Sequence, residues 1–225
     1  MKKLSSIILI AALALASCEK DNYDGPNAGL SGNFIDATTK ALVEQDIIRG
    51  TEIEILEKGY TEAQYLIVKN DGTYANTLLF ANTYTVRPVR GNFIPIEAQE
   101  VNIQGQTKLD FTVTPFIRVN NVSIVKTGTK VVATFKLQQN VINNVQKIGL
   151  YAHQDSRVGE PMRQVATERD INAVVDANTV YTLEIDLAAN STILKPGKPF
   201  YFRVGAKIDM GETKFNYAPA VKIDL

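Results

Sequence analysis

The chain has 225 residues, 45% of them hydrophobic, with 24 basic and 24 acidic side chains. That is enough apolar material for two cores of about a hundred residues each, and there is no positive excess of the kind that binds nucleic acid. One cysteine and one histidine exclude an internal disulfide and leave little from which to build a nucleophile–base pair or a metal site.

The first element is Met1-Lys2-Lys3, an apolar run from Ile7 to Ala16, and the small residue Ser17 before Cys18. This is the pattern of a secretory signal peptide over residues 1–17. The run is half the roughly 20 apolar residues that a membrane-crossing helix needs. Leu15-Ala16-Ser17-Cys18 resembles the bacterial lipobox, which implies cleavage after residue 17 and a diacylglyceryl group on the Cys18 sulfur. Cys18 is then the lipidation site and the membrane a partner through the anchor, each buried methylene contributing about 0.8 kcal/mol. A plain signal peptide with an incidental cysteine, or a buried core helix, is the alternative.

Residues 18–27 are polar and without apolar period, which predicts a flexible tether. Its acidic Glu19, Asp21 and Asp24 resemble the surface-export signal of Bacteroidetes lipoproteins. That implies an outer-membrane protein facing the cell surface, with the periplasmic face as the alternative. Removing residues 1–17 takes Lys2 and Lys3 away and leaves a net charge of −2.

From residue 28 onward the apolar period is two, punctuated by Gly, Asn and Asp, which predicts an all-β protein: two β-sandwich domains in series after the signal peptide. In the first domain, residues 28–116, Ile53 and Ile55 share one strand face and Glu52 and Glu54 the other. "YLIVKNDGTYANTLLF" reads as strand, turn at Asn70-Asp71-Gly72, and strand. Tyr84 and Val86 point inward, Gly91-Asn92 turns the chain, and Leu109, Phe111 and Val113 line one face of the closing strand. Pro115 interrupts the ladder and marks the boundary near Phe116 to Val119. Gly32-x-Phe34-x-Asp36, Thr39, Leu42-Val43, Ile53-x-Ile55, Asn70-Asp71-Gly72-x-Tyr74, Leu78-x-Phe80 and Tyr84-x-Val86 together resemble a carboxypeptidase-regulatory-like, transthyretin-type domain. The resemblance implies that these residues are turn and core, with no activity attached.

The second domain, residues 117–225, opens with a hairpin about Thr127-Gly128-Thr129, followed by strands in "VQKIGLYAHQ" and "TVYTLEIDL". Leu194-x-Pro196-Gly197 with Phe200-x-Phe202-Arg203-Val204-x-Ala206 is similar to the segment that enters strand F of fibronectin type III domains. Phe200 stands where that family usually has a tyrosine, so the corner hydrogen bond is lost while the packing remains. Residues 27–117 carry 7 basic and 11 acidic side chains and residues 118–225 carry 14 and 10, net charges of −4 and +4. Chance is one reading; attraction between the halves, or an anionic partner for the second, is the other.

Taken whole, lipobox, acidic tether, regulatory-like domain, "VTPFIRV" join and the closing "FNYAPAVKIDL" resemble a family of Bacteroidetes surface lipoproteins encoded beside SusC/SusD-type glycan importers. The resemblance implies a non-catalytic accessory of polysaccharide capture and uptake. Its partners would be a glycan and a SusC/SusD-type importer; the alternative is a structural or adhesive spacer that docks on such an importer.

No cofactor is expected. His153 alone cannot supply a triad, and neither HExxH nor CxxC nor an EF-hand loop occurs. Glu52 and Glu54 lie about 6.6 Å apart by strand rise, but with Ile53 and Ile55 inward they read as decoration of a solvated face rather than a glycosidase pair. Parity offers one candidate ligand face. Ile148, Leu150 and Ala152 point inward, which sends Tyr151 and His153 out; Phe202 and Val204 point inward, which sends Tyr201 and Arg203 out. If the two strands are neighbours, Tyr151, His153, Tyr201 and Arg203 cluster on one exposed sheet face, where rings and donors suit a sugar. Ordinary cross-strand decoration is the competing reading.

Overall fold

The computed structural model describes residues 24–225; the expected signal peptide, Cys18 and residues 18–23 of the expected tether lie outside the described residues. The first unit contains β1 (Ala28–Asp36), β2 (Glu52–Glu57), β3 (Gln64–Ile67), β4 (Thr73–Leu79), β5 (Asn82–Arg90), β6 (Gln99–Ile103), β7 (Gln106–Lys108) and β8 (Phe111–Val113). β1 pairs antiparallel with β4 and parallel with β7 and β8, forming one sheet, while the other runs β3-β2-β5-β6. The alternating residues face one another across the gap: Phe34, Ile53, Ile55, Tyr84, Val86, Phe111 and Val113 are all buried in one cluster. Phe34 stacks on Phe111 and Phe93 at centroid distances of 5.0 and 5.1 Å.

The turn at Asn70-Asp71-Gly72 forms as expected. Gly72 takes a φ of +82°, and Asp71 Oδ1 accepts hydrogen bonds from the Thr73 backbone N–H (3.0 Å) and hydroxyl (2.8 Å). Gly32 answers to a close approach: a Cβ there would fall 1.8 Å from the Leu109 carbonyl oxygen. Gly32→Ala is therefore expected to cost about 1–3 kcal/mol through forced separation of β1 from the Leu109 backbone, measurable as a drop in urea midpoint at unchanged m.

One expectation in this domain is overturned. Leu78 and Phe80, which the resemblance to the regulatory-like domain implies are core, are solvent-facing, and Leu79 is buried in their place. The β1–β4 register shifts between Ala28 and Leu30. A bulge inserts one residue and sends every later side chain to the opposite face.

The second unit contains β9 (Ile117–Thr127), β10 (Lys130–Gln139), β11 (Val145–His153), β12 (Val165–Ala173), β13 (Val180–Asp186), β14 (Pro199–Ile208), β15 (Asn216–Tyr217) and β16 (Val221–Asp224). A sheet of order β13-β10-β9 packs on one of order β12-β11-β14-β15, with β16 also paired to β14. The β9–β10 hairpin turns at Gly128, φ +57°. Phe135, Leu137, Ile148, Leu150, Phe200, Phe202 and Val204 fill the core between the sheets. β12 carries no clear alternation and is an edge strand with a mostly exposed pattern; its apolar signal was too weak to read in the sequence.

The chain crosses between cores at residues 114–116, with Phe116 packed in the second. The crossing is held to the first domain by Ile94 N–H to the Thr114 carbonyl (2.9 Å) and Phe116 N–H to the Asn92 carbonyl (3.0 Å).

Candidate functional site

β11 and β14 are antiparallel neighbours, and the four residues of the expected ligand face are cross-strand partners: Tyr151 opposite Arg203, His153 opposite Tyr201. The clustering holds; the exposure does not. Tyr151 and Arg203 are each 0% exposed, while His153 and Tyr201 are half-buried. Alternation identified the face that packs in the sandwich and left open whether the opposite face is also covered. Here it is.

Phe215 and Tyr217, on and just before β15, cover that face together with Val158 from the β11–β12 connection. Phe215 and Tyr217 stack at 5.6 Å, and Tyr151 meets Phe215 edge-on at 5.8 Å. The rings fit because Gly149 and Gly205 face each other across β11 and β14. A Cβ at Gly205 would lie 2.5 Å from Tyr217 Cδ1. The Tyr151 hydroxyl escapes the apolar stack by donating to Glu168 Oε1 at 2.8 Å, as a buried phenol must.

Beyond Tyr217 the cover is the first domain. The Arg203 guanidinium reaches across and spends all five of its N–H donors. Nε donates to the Ala218 carbonyl, Nη1 to the carbonyls of Gln45 and Val158, all at 3.0 Å. Nη2 donates to the Asn70 carbonyl at 3.1 Å and to Glu44 Oε2. The guanidinium carbon also sits 4.2 Å from the Tyr217 ring centroid, a cation–π contact in a dry setting. Glu44, Gln45 and Asn70 belong to the first domain, Val158 and Ala218 to the second.

A second arginine repeats the device. Arg118 forks onto Asp36, Nε to Oδ2 at 2.6 Å and Nη2 to Oδ1 at 2.8 Å, with further bonds to Thr38 and Asn140. Buried Asn92 bridges the carbonyls of Glu44 and Phe215, each at 2.9 Å. In both ion pairs the positive half supplies the arginine and the negative half the carboxylate, so the charge split is in part an attraction between the domains.

The carboxylates at this junction respond differently to burial. Burial lifts Asp46 to about 7, with the Tyr217 hydrogen bond (2.7 Å) and Arg203 drawing it back and Glu160 adding to the rise. Burial likewise raises Glu44, against the pull of Arg203. At Asp36 burial also pushes upward, but the Arg118 fork and the N–H groups of Thr38 and Thr39 outweigh it and hold the carboxyl below its ordinary value.

Elsewhere, Glu52 and Glu54 are engaged by Arg90 (2.7 Å) and Arg87 (2.8 Å). His153 Nδ1 accepts the Asp155 backbone N–H at 2.9 Å. Among the described residues no group of His, Cys, Asp and Glu is arranged to hold a metal, and no helix is long and apolar enough to cross a membrane.

Surface hollows remain. Three flank the junction, one beside Arg118 and Leu42 (about 200 Å³), one beside Met210 and Val89 (about 280 Å³) and one beside Asp46 and Lys214 (about 140 Å³). A larger one, about 360 Å³, lies at the far end of the first domain between Tyr60 and Phe80.

The residues missed by sequence reasoning are Glu44, Asp46, Asn92, Arg118, Phe215 and Tyr217. One signal for the covered face was present: Gly149 and Gly205 lie in phase with Tyr151 and Arg203, and glycine in a strand interior marks a close approach by another part of the chain.

The fold and its junction define a class: an all-β protein of two sandwiches welded through buried arginines. The family described as "Protein of unknown function (DUF3823) N-terminal domain" matches residues 28–114, and "Domain of unknown function (DUF3823_C)" matches residues 117–222. The chain belongs to the DUF3823 family. It is 34% identical to a Bacteroides uniformis protein described as a "putative carbohydrate binding protein", covering 89% of this chain and 100% of that one at a TM-score of 0.84. A DUF3823 protein of Bacteroides ovatus is 25% identical over 89% of this chain and 100% of its own, TM-score 0.74. One from Parabacteroides merdae, 22% identical with the same coverages and a TM-score of 0.78, shares the fold. Among curated proteins none matches this chain.

Proposed function

We propose that this chain is a non-catalytic, lipid-anchored protein of the outer membrane that faces the cell surface and captures polysaccharide for a SusC/SusD-type importer. The observation that carries the reading is the likeness, across both domains and the junction, to the Bacteroides uniformis protein described as a "putative carbohydrate binding protein". The geometry favours binding over hydrolysis, because Glu52 and Glu54, the carboxylates that alternate on one strand face, are each committed to an arginine. The parallel pairing of β1 with β7 and β8 in the first sandwich and the three-on-five sheet order of the second support the regulatory-like and fibronectin type III-like readings of the domains.

The rigid junction favours the spacer as the second reading. A block in which Arg203 and Arg118 fix two sandwiches at one angle is suited to holding a partner at a set distance from the anchor.

A glycan array probed with residues 19–225, paired with affinity purification of the full-length lipoprotein from membranes, separates the two. Capture predicts retention of at least one polysaccharide class together with recovery of the importer pair. Recovery of the importer with an empty array supports the spacer, and an empty array with no importer overturns both.

A further inference from the structure

The far end of the first domain carries two aromatic rings that the fold leaves uncovered. Tyr60 is 65% and Phe80 46% exposed, and they border the hollow of about 360 Å³ together with Glu57, Thr61, Glu62 and Gln64. Both rings are placed by backbone features with local causes. A turn closed by Tyr60 N–H to the Glu57 carbonyl (3.1 Å), with Gly59 at φ +97°, lifts Tyr60 off the end of β2. The bulge in the β1–β4 pairing turns Phe80 outward, and the buried Tyr84 pins it by donating from its hydroxyl to the Phe80 carbonyl at 2.9 Å.

The two walls are also tied to each other. Asn82 Nδ2 donates to Glu57 Oε1 at 2.8 Å and to the Lys58 carbonyl at 3.3 Å, and Lys58 N–H reaches the Thr83 carbonyl at 2.9 Å. The hollow is therefore preformed, which lowers the ordering cost of binding. On the other side of Tyr60 lies a second hollow of about 200 Å³ that shares Glu57 and is lined by Lys58, Thr83, Thr85 and Glu100. Tyr60 stands as a ridge between the two.

We propose that this ridge and its hollows are a binding subsite for a neutral polysaccharide, a proposal that rests on the carbohydrate-capture reading above. Apolar ring faces of a sugar cover the Tyr60 and Phe80 rings. The hydroxyls at the sugar's edge meet acceptors and donors at Glu62, Gln64 and Thr61 on one side and Thr83 and Thr85 on the other. The volume of the larger hollow sits at the small end of the roughly 300–1,000 Å³ range of ligand sites, and its continuation past Tyr60 suits a chain that passes over the ring. Charge selects the class. Glu57, Glu62 and Glu100 face these hollows against the single cation Lys58, so uronate and sulfated polymers are repelled and neutral ones are not.

The test is affinity-gel electrophoresis and titration calorimetry of residues 19–225 against neutral glucans, mannans and galactans, with polygalacturonate as the acidic counterpart. The variants are Tyr60→Ala, Phe80→Ala and, outside the hollow, Tyr65→Ala. All three side chains are exposed, so an unchanged melting temperature shows that the fold is intact. The proposal expects a neutral polymer to bind, Tyr60→Ala and Phe80→Ala each to weaken it about tenfold, and Tyr65→Ala to leave it unchanged. Tyr60→Trp, which keeps a ring and enlarges it, is expected to bind at least as well as the native chain. A neutral polymer bound equally by native protein and both ring variants overturns the subsite while capture stands. Stronger retention of polygalacturonate overturns the neutral selection. No retention of any polymer by native protein, on the gel or on the array, overturns capture itself.

Discussion

Replacing Arg203 with methionine lowers the stability of the whole chain by about 3–5 kcal/mol, the range for removing one partner of a buried ion pair. Methionine keeps much of the aliphatic reach, so the loss isolates the guanidinium. With it go the bonds to the carbonyls of Gln45, Asn70, Val158 and Ala218 and the partner of Glu44. Each stranded acceptor keeps its desolvation cost, and the uncompensated Glu44 carboxylate adds the largest part. Lysine recovers little, because a compact ammonium cannot serve five acceptors spread in the plane of a fork. Urea unfolding of the two variants beside native protein measures this. A loss under about 1 kcal/mol would mean that Arg203 is not holding the junction.

Replacing Asp46 with asparagine changes the pH dependence of stability more than it changes stability at acid pH. Burial raises the Asp46 carboxyl from 3.8 to about 7 in the fold. The folded state therefore holds a proton that the unfolded chain has released between those values, and stability falls as pH rises through that window and levels off above it. Carried in full, a shift of that size corresponds to about 4 kcal/mol lost by pH 8. Glu44, also raised, acts in the same direction. Asp36, lowered, acts oppositely: it adds stability above its unfolded value that is lost only as pH falls further. Native protein is thus expected to be most stable near pH 4–5. Asparagine keeps an acceptor for the Tyr217 hydroxyl and titrates nothing. The variant should match native protein near pH 4, exceed it at pH 8, and show a flatter profile between. Parallel profiles would contradict the assignment of this slope to Asp46.

Much of the architecture could be read directly from residue order, because alternation and turn chemistry are local. Ile53 and Ile55, Phe200 through Ala206, and the glycines at 72 and 128 fall where strand period and positive φ require them. What failed did so where a non-local event intervenes. The register shift opposite Ala28 reverses the faces of Leu78 and Phe80, and no local pattern marks it. The expected ligand face was correct in its pairing and wrong in its exposure, since the burial of Tyr151 and Arg203 depends on Phe215, Tyr217 and a segment more than a hundred residues away. Arg203 reads as a solvent-facing donor until Glu44 is known to lie above it. The hollow at Tyr60 was likewise illegible, because it depends on a bulge bringing Phe80 out beside a turn from another strand.

The charge split acquires a physical meaning from the same contacts. Arg118 with Asp36 and Arg203 with Glu44 join the positive half to the negative one at positions closed to water, where screening by salt is weak. The two sandwiches are then expected to unfold as one body rather than as beads on a string.

Differential scanning calorimetry of residues 19–225 near pH 5 tests that claim most directly. A single transition with equal calorimetric and van't Hoff enthalpies, splitting into two in a chain carrying Arg118→Met and Arg203→Met together, is the expected result. Two separable transitions in the native chain, unchanged by the substitutions, would contradict it.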